Sequence, residues 1–315
     1  MTDTLPTTRT VAANGIEICY EDRPGPQPDS PVLLLVHGLG CQLLHWPEDL
    51  LIALNAQFRV IRYDNRDTGH STWFKGIKAP PMSGWGRLRW FLGARAPAPY
   101  TLEDMAADAI GLLDALGIDR AHVMGASMGG MIAQILGLDY PQRVQSLTLV
   151  MTTSGRRTKG LPRPEVLKAI TQRPQSMDFD IVLAASIRSW KTLSGRGHVT
   201  PDDEIERRLR AILTRAQNPA GFLRHYAAIM NQPDRTVRLR QLRLPTLVLH
   251  GEDDGLVGVS GGRQLAAVIP GATLKTVPGW GHDFPPSLTA TLTQWIAQHV
   301  QAAQESPHAA VADAA

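Results

Sequence analysis

The sequence predicts an α/β fold: a mainly parallel, doubly wound sheet with a helical cap inserted between two of its strands. Three observations carry this. Apolar strand-like runs alternate with amphipathic helical patterns through the first 150 residues. The alternation is interrupted once, from about 155 to 240, by helical segments without a buried strand. It then resumes with two more strand-like runs before a last helix. Such alternation implies parallel strands joined by crossover helices.

The elements follow in order. Val11 to Tyr20 holds two short β-type runs around Asn14-Gly15, a hairpin signal. PVLLLVHG, from Pro31 to Gly38, is a continuous apolar run ending in glycine, as expected of a strand buried on both faces. FRVIRY (58–63), AHVMG (121–125), VQSLTLVM (144–151), TLVLHG (246–251) and TLKTV (273–277) are further strands. Thr101 can cap a helix with Asp104 at N3, and Leu102, Met105, Ala109, Leu112, Leu113 and Leu116 then share one face before Gly117 stops it. In the inserted stretch, Thr200 is the expected cap and Pro201 the first helical residue, with Ile205, Leu209, Ile212 and Leu213 on one face. The expected division is a core domain of 1–154 and 241–303, a cap of 155–240 over the carboxyl ends of the strands, and a disordered, Ala-rich tail of 304–315. A second irregular stretch, Thr72 to Pro99, carries Trp85, Trp90 and Phe91 and reads as a binding loop.

A chain of 315 residues can bury a full core without metals or disulfides. Its two cysteines, Cys19 and Cys41, make no framework and suit a reducing compartment. The N-terminus lacks the basic and apolar regions of a secretory signal, and no apolar run reaches the roughly 18–20 residues of a membrane span. A soluble, cytoplasmic protein is expected, with no membrane partner, as a monomer or homodimer. Charge is unevenly spread: from Gly155 to Arg240, 17 Lys+Arg face 8 Asp+Glu. Solvated, Arg-rich helix faces explain this more simply than a polyanion site, and no nucleic-acid motif accompanies it.

The sharpest chemical signal is GASMG, Gly125 to Gly129, placed directly after a strand and before the apolar helical run MIAQILGL. G-x-S-x-G in that context holds a serine out on a strained strand-to-helix turn, with first-turn amides and the helix dipole beside it. Ser127 is the candidate nucleophile. It needs a histidine base. His282, in GWGHD after the last strand, is the candidate. His198 and His225 lie in the insert, His299 and His308 at or beyond the final helix, and His250 within a buried strand. The orienting acid should follow a strand end between serine and histidine, which leaves Glu252, Asp253 and Asp254 open.

With these motifs in hand, the chain resembles the α/β-hydrolase superfamily, in particular its bacterial carboxylesterases and methylesterases. HGLG at 37–40, RYDNRDTGHS at 62–71, GASMGG at 125–130, HGEDD at 250–254 and GWGHD at 279–283 carry the resemblance, which spans roughly Val11 to His299. It implies Asp254 as the acid, with Asp253 next, and an oxyanion hole made by the backbone N–H groups of Leu39 and Met128, whose side chains are then free to shape the pocket. The chain departs from the family in carrying Gly255 and Gly258 where proline is usual, which predicts a more mobile loop around Asp254.

The expected activity is that of a serine carboxylesterase acting on small to medium esters through an acyl-enzyme. Alternatives sharing the same residues are a lactonase, a polyketide-type methylesterase, an acyl transferase, a perhydrolase or a C–C bond hydrolase. Serine in place of aspartate sets aside the dehalogenases and epoxide hydrolases of the fold. A non-catalytic receptor is the alternative from another class. Asp64, Arg66 and Asp67 look catalytic by composition, yet such charged sets more often tie loops together. Trp85, Trp190 and Phe222 are the nominated pocket residues, with Trp90, Phe91, Met128 and Met177 behind them. No zinc-type spacing, G-x-G-x-x-G or P-loop is present, so neither a metal nor a cofactor is expected, and the partner is a small-molecule ester.

Overall fold

The structure, a computed structural model, describes residues 7–80, 86, 90, 93–172 and 176–305. Among the described residues, eight strands form one sheet in the order β1-β2-β4-β3-β5-β6-β7-β8. β1 (Arg9–Ala13) and β2 (Ile16–Arg23) make the expected hairpin. Asn14 and Gly15 take φ of 49° and 75°, the left-handed pair whose twist suits a two-residue turn. β2 runs antiparallel to β4 (Arg59–Tyr63). Every other pairing is parallel, through β3 (Val32–Val36), β5 (Ala121–Ala126), β6 (Val144–Val150), β7 (Thr246–Gly251) and β8 (Thr273–Val277).

The strand period of two feeds two cores. Leu34, Val36, Ile61 and Val123 pack on the face covered by α2 (Leu102–Ala115) and α3 (Met128–Asp139). Leu33, Leu35, Val60 and Met124 face the other way, toward α1 (Glu48–Asn55) and α10 (Thr289–Gln304). Because both faces are covered, the central strands read as continuous apolar runs. α2 starts as expected: the Thr101 side chain accepts from the Asp104 amide, and Asp104 reaches back to the Thr101 amide.

Between β6 and β7 the chain forms α4 (Pro164–Thr171), α5 (Phe179–Leu193), α6 (Asp202–Arg215), α7 (Pro219–Asn231) and α8 (Thr236–Leu239). α9 (Ser260–Val268) joins β7 to β8. Ile205, Leu209 and Ile212 of α6 form a small core with Leu183 of α5. The start of α6 corrects the sequence expectation by one residue. Pro201 is extended (φ −55°, ψ 144°) and precedes the helix, and Thr200 is buried with its hydroxyl unpartnered instead of capping. Asp202, Asp203 and Glu204 fill the first turn, where carboxylates oppose the positive end of the helix dipole. α10 continues to Gln304, one residue past the expected end of the core; the rest of the expected tail, from 306, lies outside the described residues.

The basic character of the insert is also not a set of solvated faces throughout. Arg208, Arg224 and Arg235 are buried, and the Arg215 side chain is 4% exposed. Two of them tie the insert to the loop after β4. Arg215 pairs with Asp64 at 2.7 Å, and Arg224 grips Asp67 through two bonds of 2.7 and 2.6 Å. Arg66 makes a similar double contact to Asp108 of α2. The acidic and basic residues of RYDNRDTG are therefore joints. Burial works against the Asp67 charge, but hydrogen bonds from Arg224, the Tyr100 hydroxyl and the Phe74 amide hold its carboxyl below the usual range. Asp67→Ala strands the Arg224 charge and is expected to lower stability by about 3–5 kcal/mol, read from the urea midpoint at constant slope. A loss below about 1 kcal/mol, the surface-pair range, would contradict the joint.

Candidate active site

The sheet order reverses at β3: the chain builds β4 on one side of it and β5 on the other. At such a switch point the loops leaving the strands diverge and open a crevice. Leu39 follows β3 and Ser127 follows β5, so both fall there.

Ser127 takes φ 57° and ψ −119°. A non-glycine residue held there costs roughly 1–3 kcal/mol, which the surroundings must offset. Its amide donates to the Val150 carbonyl at 2.9 Å, and its carbonyl accepts from the Gly130 amide at 2.9 Å and the Thr152 hydroxyl at 2.7 Å. The flanking glycines are there because backbones touch. A Cβ on Gly129 would sit 2.0 Å from the Val36 carbonyl oxygen, and one on Gly125 would sit 2.2 Å from that of Gly129. Met128 opens α3, so its amide is a first-turn donor without an intrahelical acceptor.

His282 is set by its own amide, which donates to the Leu193 carbonyl at the end of α5 at 2.7 Å. Its Nδ1 meets Asp254 Oδ2 at 2.7 Å. With Nδ1–H given to a carboxylate, Nε2 is left as the basic nitrogen. Asp254 is the buried member of the three acids; Glu252 accepts from Thr276 and is partly exposed, as is Asp253. Its second oxygen accepts from the amides of Leu256 and Val257 at 2.9 and 2.8 Å. Burial opposes the Asp254 charge, yet the charge of His282 and hydrogen bonds from His250 and His282 bring the carboxyl down to about 2.

Two neighbours account for the order of this loop. His250, buried at the end of β7, bonds the Val257 carbonyl through Nε2 at 2.7 Å and lies 3.5 Å from Asp254. Gly255 packs under α4: a Cβ on it would sit 2.8 Å from Val166. Close packing against Val166 leaves little room for a side chain at Gly255, and hydrogen bonds from the Leu256 and Val257 amides to Asp254 and from His250 to the Val257 carbonyl hold the loop where the sequence suggested mobility.

Ser127, His282, Leu39, Trp190 and Phe222 line one cavity of about 370 Å³. Two larger grooves, of about 550 and 440 Å³, lie at α1–α10 and around Leu242–Pro245; neither is lined by Ser, Cys, Asp or Glu. Among the described residues no group of three or more His, Cys, Asp or Glu could hold a metal ion. None of their helices is long and apolar enough to cross a membrane.

Other nominated pocket residues fall elsewhere. The Met128 side chain is buried in the main core beneath the sheet face, so it does not shape the cavity. Met177 is 63% exposed. Trp90 stacks under Arg157 and donates to the Met230 carbonyl, away from the cavity. Trp85 and Phe91 lie outside the described residues.

Sequence reasoning also missed contributors. His225 of α7 accepts from the Gly40 amide at 3.2 Å and donates from Nε2 to the Arg66 carbonyl, fixing the loop that carries Leu39. Burial keeps it neutral, with its pKa down to about 4. Arg208 and Asp283 line the cavity too. Burial pushes the Asp283 carboxyl up to about 6. A raised carboxyl stabilises the fold fully below its ordinary value of 3.8, and that contribution is lost as pH rises through about 6. Asp283→Asn does not titrate, so it should gain on the wild type by about 3 kcal/mol between about pH 3.5 and 7.5. Denaturation at both pH values reads this; a constant difference contradicts it.

The sequence pattern of the alpha/beta hydrolase fold family matches residues 31–286. The chain belongs to that family and is a hydrolase of this fold. It is 28% identical over 299 residues to rhodomycin D methylesterase DauP of Streptomyces sp. (strain C5), covering 89% of this chain and 93% of the relative. It is 28% identical to a 2-hydroxy-6-oxononadienedioate/2-hydroxy-6-oxononatrienedioate hydrolase of Burkholderia vietnamiensis, over 79% and 80% of the two chains. The meta-cleavage product hydrolase CumD of Pseudomonas fluorescens IP01 superposes with a TM-score of 0.71, over 94% of this chain and 98% of the other. At 19% identity that likeness speaks for the fold alone.

Proposed function

We propose that the protein is a serine esterase that cleaves carboxylic esters through an acyl-enzyme. The observation that carries the reading is one cavity holding a serine on a strained turn and a histidine whose far nitrogen is bonded to a buried, ionised aspartate. Ser127 attacks the ester carbonyl while His282 Nε2 takes its proton. The oxyanion that forms accepts from the amides of Leu39 and Met128. His282 then protonates the departing alcohol, and a water activated by the same nitrogen releases the acid. Asp254 keeps Nδ1 protonated and the ring in place throughout. The helices of 155–240 act as a cap over a core of 1–154 and 241–303 and supply Val182, Trp190 and Phe222 to the cavity wall. The methylesterase among the relatives agrees with an ester as substrate.

A p-nitrophenyl ester series of rising acyl length tests this. Turnover that is highest for short and medium chains, then falls as the acyl group outgrows about 370 Å³, is expected. No turnover of any ester, together with cleavage of a vinylogous 1,5-diketone, would overturn the ester reading in favour of C–C bond hydrolysis.

A further inference from the structure

The loop that follows β3 and carries Leu39 lies against the nucleophile: a Cβ on Gly38 would sit 3.1 Å from that of Ser127. The two ends of this loop are tied to the core. Asn65 donates to the His37 carbonyl at 3.2 Å, and the Leu43 amide donates to Asp64 at 2.7 Å. Its middle is held by the insert. The Gly40 amide donates to Nδ1 of His225 on α7 at 3.2 Å. Gln42 donates to the carbonyls of Ile212 and Ala216 at 2.9 and 3.1 Å and accepts from Arg215 at 2.7 Å. Gly40 takes φ 67°, and a Cβ there would sit 2.7 Å from the ring of Phe222, also on α7.

His225 is fully buried, and both of its ring nitrogens are used. A main-chain amide only donates and a main-chain carbonyl only accepts. The ring is therefore neutral, with Nδ1 the acceptor for Gly40 and the hydrogen of Nε2 given to the Arg66 carbonyl at 2.7 Å. Arg66 belongs to the loop after β4, and α7 grips the next residue of that loop twice more. Asn218, at the start of the helix, donates to the Asp67 carbonyl at 3.0 Å, and Arg224 holds the Asp67 carboxylate. One side of the ring is thus fixed to the core, and the other presents a single acceptor to the Leu39 loop.

We propose that His225 is a positioning residue for the oxyanion hole: by holding the Gly40 amide it sets the peptide that follows Leu39, and so the direction of the Leu39 amide, which makes the hole complete only while α7 is docked on the loop after β4. The role rests on the serine-esterase reading. His225 is not among the residues that line the cavity, so it acts through the loop and not on the substrate. An oxyanion donor stabilises an oxygen whose charge develops only in the transition state. Misdirecting it therefore costs turnover and leaves substrate affinity nearly unchanged.

Two variants divide the bonds of the ring. In His225→Asn the side-chain oxygen stands where Nδ1 was and still accepts from Gly40, while the bond to Arg66 is lost. In His225→Gln the longer amide reaches the place of Nε2 and still donates to Arg66, while Gly40 loses its acceptor. Each loses one buried hydrogen bond, so a merely structural role would move the urea midpoints of both and leave their kcat per folded molecule alike. On p-nitrophenyl acetate, His225→Gln should lose roughly 10–100-fold in kcat, whereas His225→Asn should stay within about threefold of the wild type; KM should move by no more than about threefold in either. A short alkyl trifluoromethyl ketone gives a second readout. The Ser127 oxygen adds to its carbonyl carbon, the serine proton passes to His282, and the ketone oxygen becomes the oxyanion. Its inhibition constant should rise in His225→Gln by the factor that kcat falls. Ester turnover in which the glutamine variant matches or exceeds the asparagine variant overturns the positioning role and leaves the esterase intact; no turnover of any ester by the wild type overturns the esterase reading beneath it. The wild type alone tests the coupling if a variant does not fold: the nitrogen resonance of His225 Nδ1 should shift when the ketone binds, and an unchanged resonance overturns the proposal.

Discussion

Ser127→Ala is expected to lower kcat on esters by on the order of 10⁴–10⁶ with the fold intact. Alanine keeps the Cβ and the backbone, and the bonds that hold the turn, from the Ser127 amide to Val150 and from Gly130 and Thr152 to its carbonyl, are all made by main chain or neighbours. The loss is therefore read as chemistry, and thermal unfolding of the variant should stay close to that of the wild type. His282→Ala should fall by a similar factor, and the double variant should be no worse than either alone, because nucleophile and base act as one unit. Independent losses that multiply would mean that the two side chains do not share a step.

The second large effect is Asp254→Asn, expected to cost on the order of 10⁴ in kcat. The carboxylate accepts from His282 Nδ1 at 2.7 Å and so leaves Nε2 as the base. An asparagine amide turned toward the ring instead donates a hydrogen, which favours the tautomer with Nε2 protonated and removes the base. Burial makes the matter acute, since no water can substitute at an aspartate that is 3% exposed. Asp253→Asn serves as the comparison. Asp253 is partly exposed and bonds through its amide to the Trp280 carbonyl, so activity should change by no more than about threefold. If Asp253 and Asp254 exchanged these effects, the acid would be misassigned.

The sequence exposed the parts of this molecule that depend on local pattern. Continuous apolar runs marked the central strands because both faces are covered. The glycines at 125 and 129 betrayed the turn because backbone contact admits no Cβ there. The hairpin and the Thr101 cap were readable because both are settled within four residues. The three acids after β7 were not separable from pattern alone, since what distinguishes Asp254 is its burial against His282, 28 residues away. Arg208 was equally hidden. On α6 it reads as an exposed i,i+4 partner of Glu204, and only packing against Trp190 and His45 buries it. The same limit applies to Met128, whose neighbours on the far side of the sheet decide where its side chain goes.

The proposed mechanism turns on acylation of Ser127. Rapid acid quench during turnover of a p-nitrophenyl ester, followed by mass spectrometry of the peptides, tests it most directly. The mass of the acyl group is expected on the peptide containing Ser127, appearing within the burst of p-nitrophenol and absent in Ser127→Ala. Turnover with no acyl adduct, or with the adduct on another residue, would contradict it.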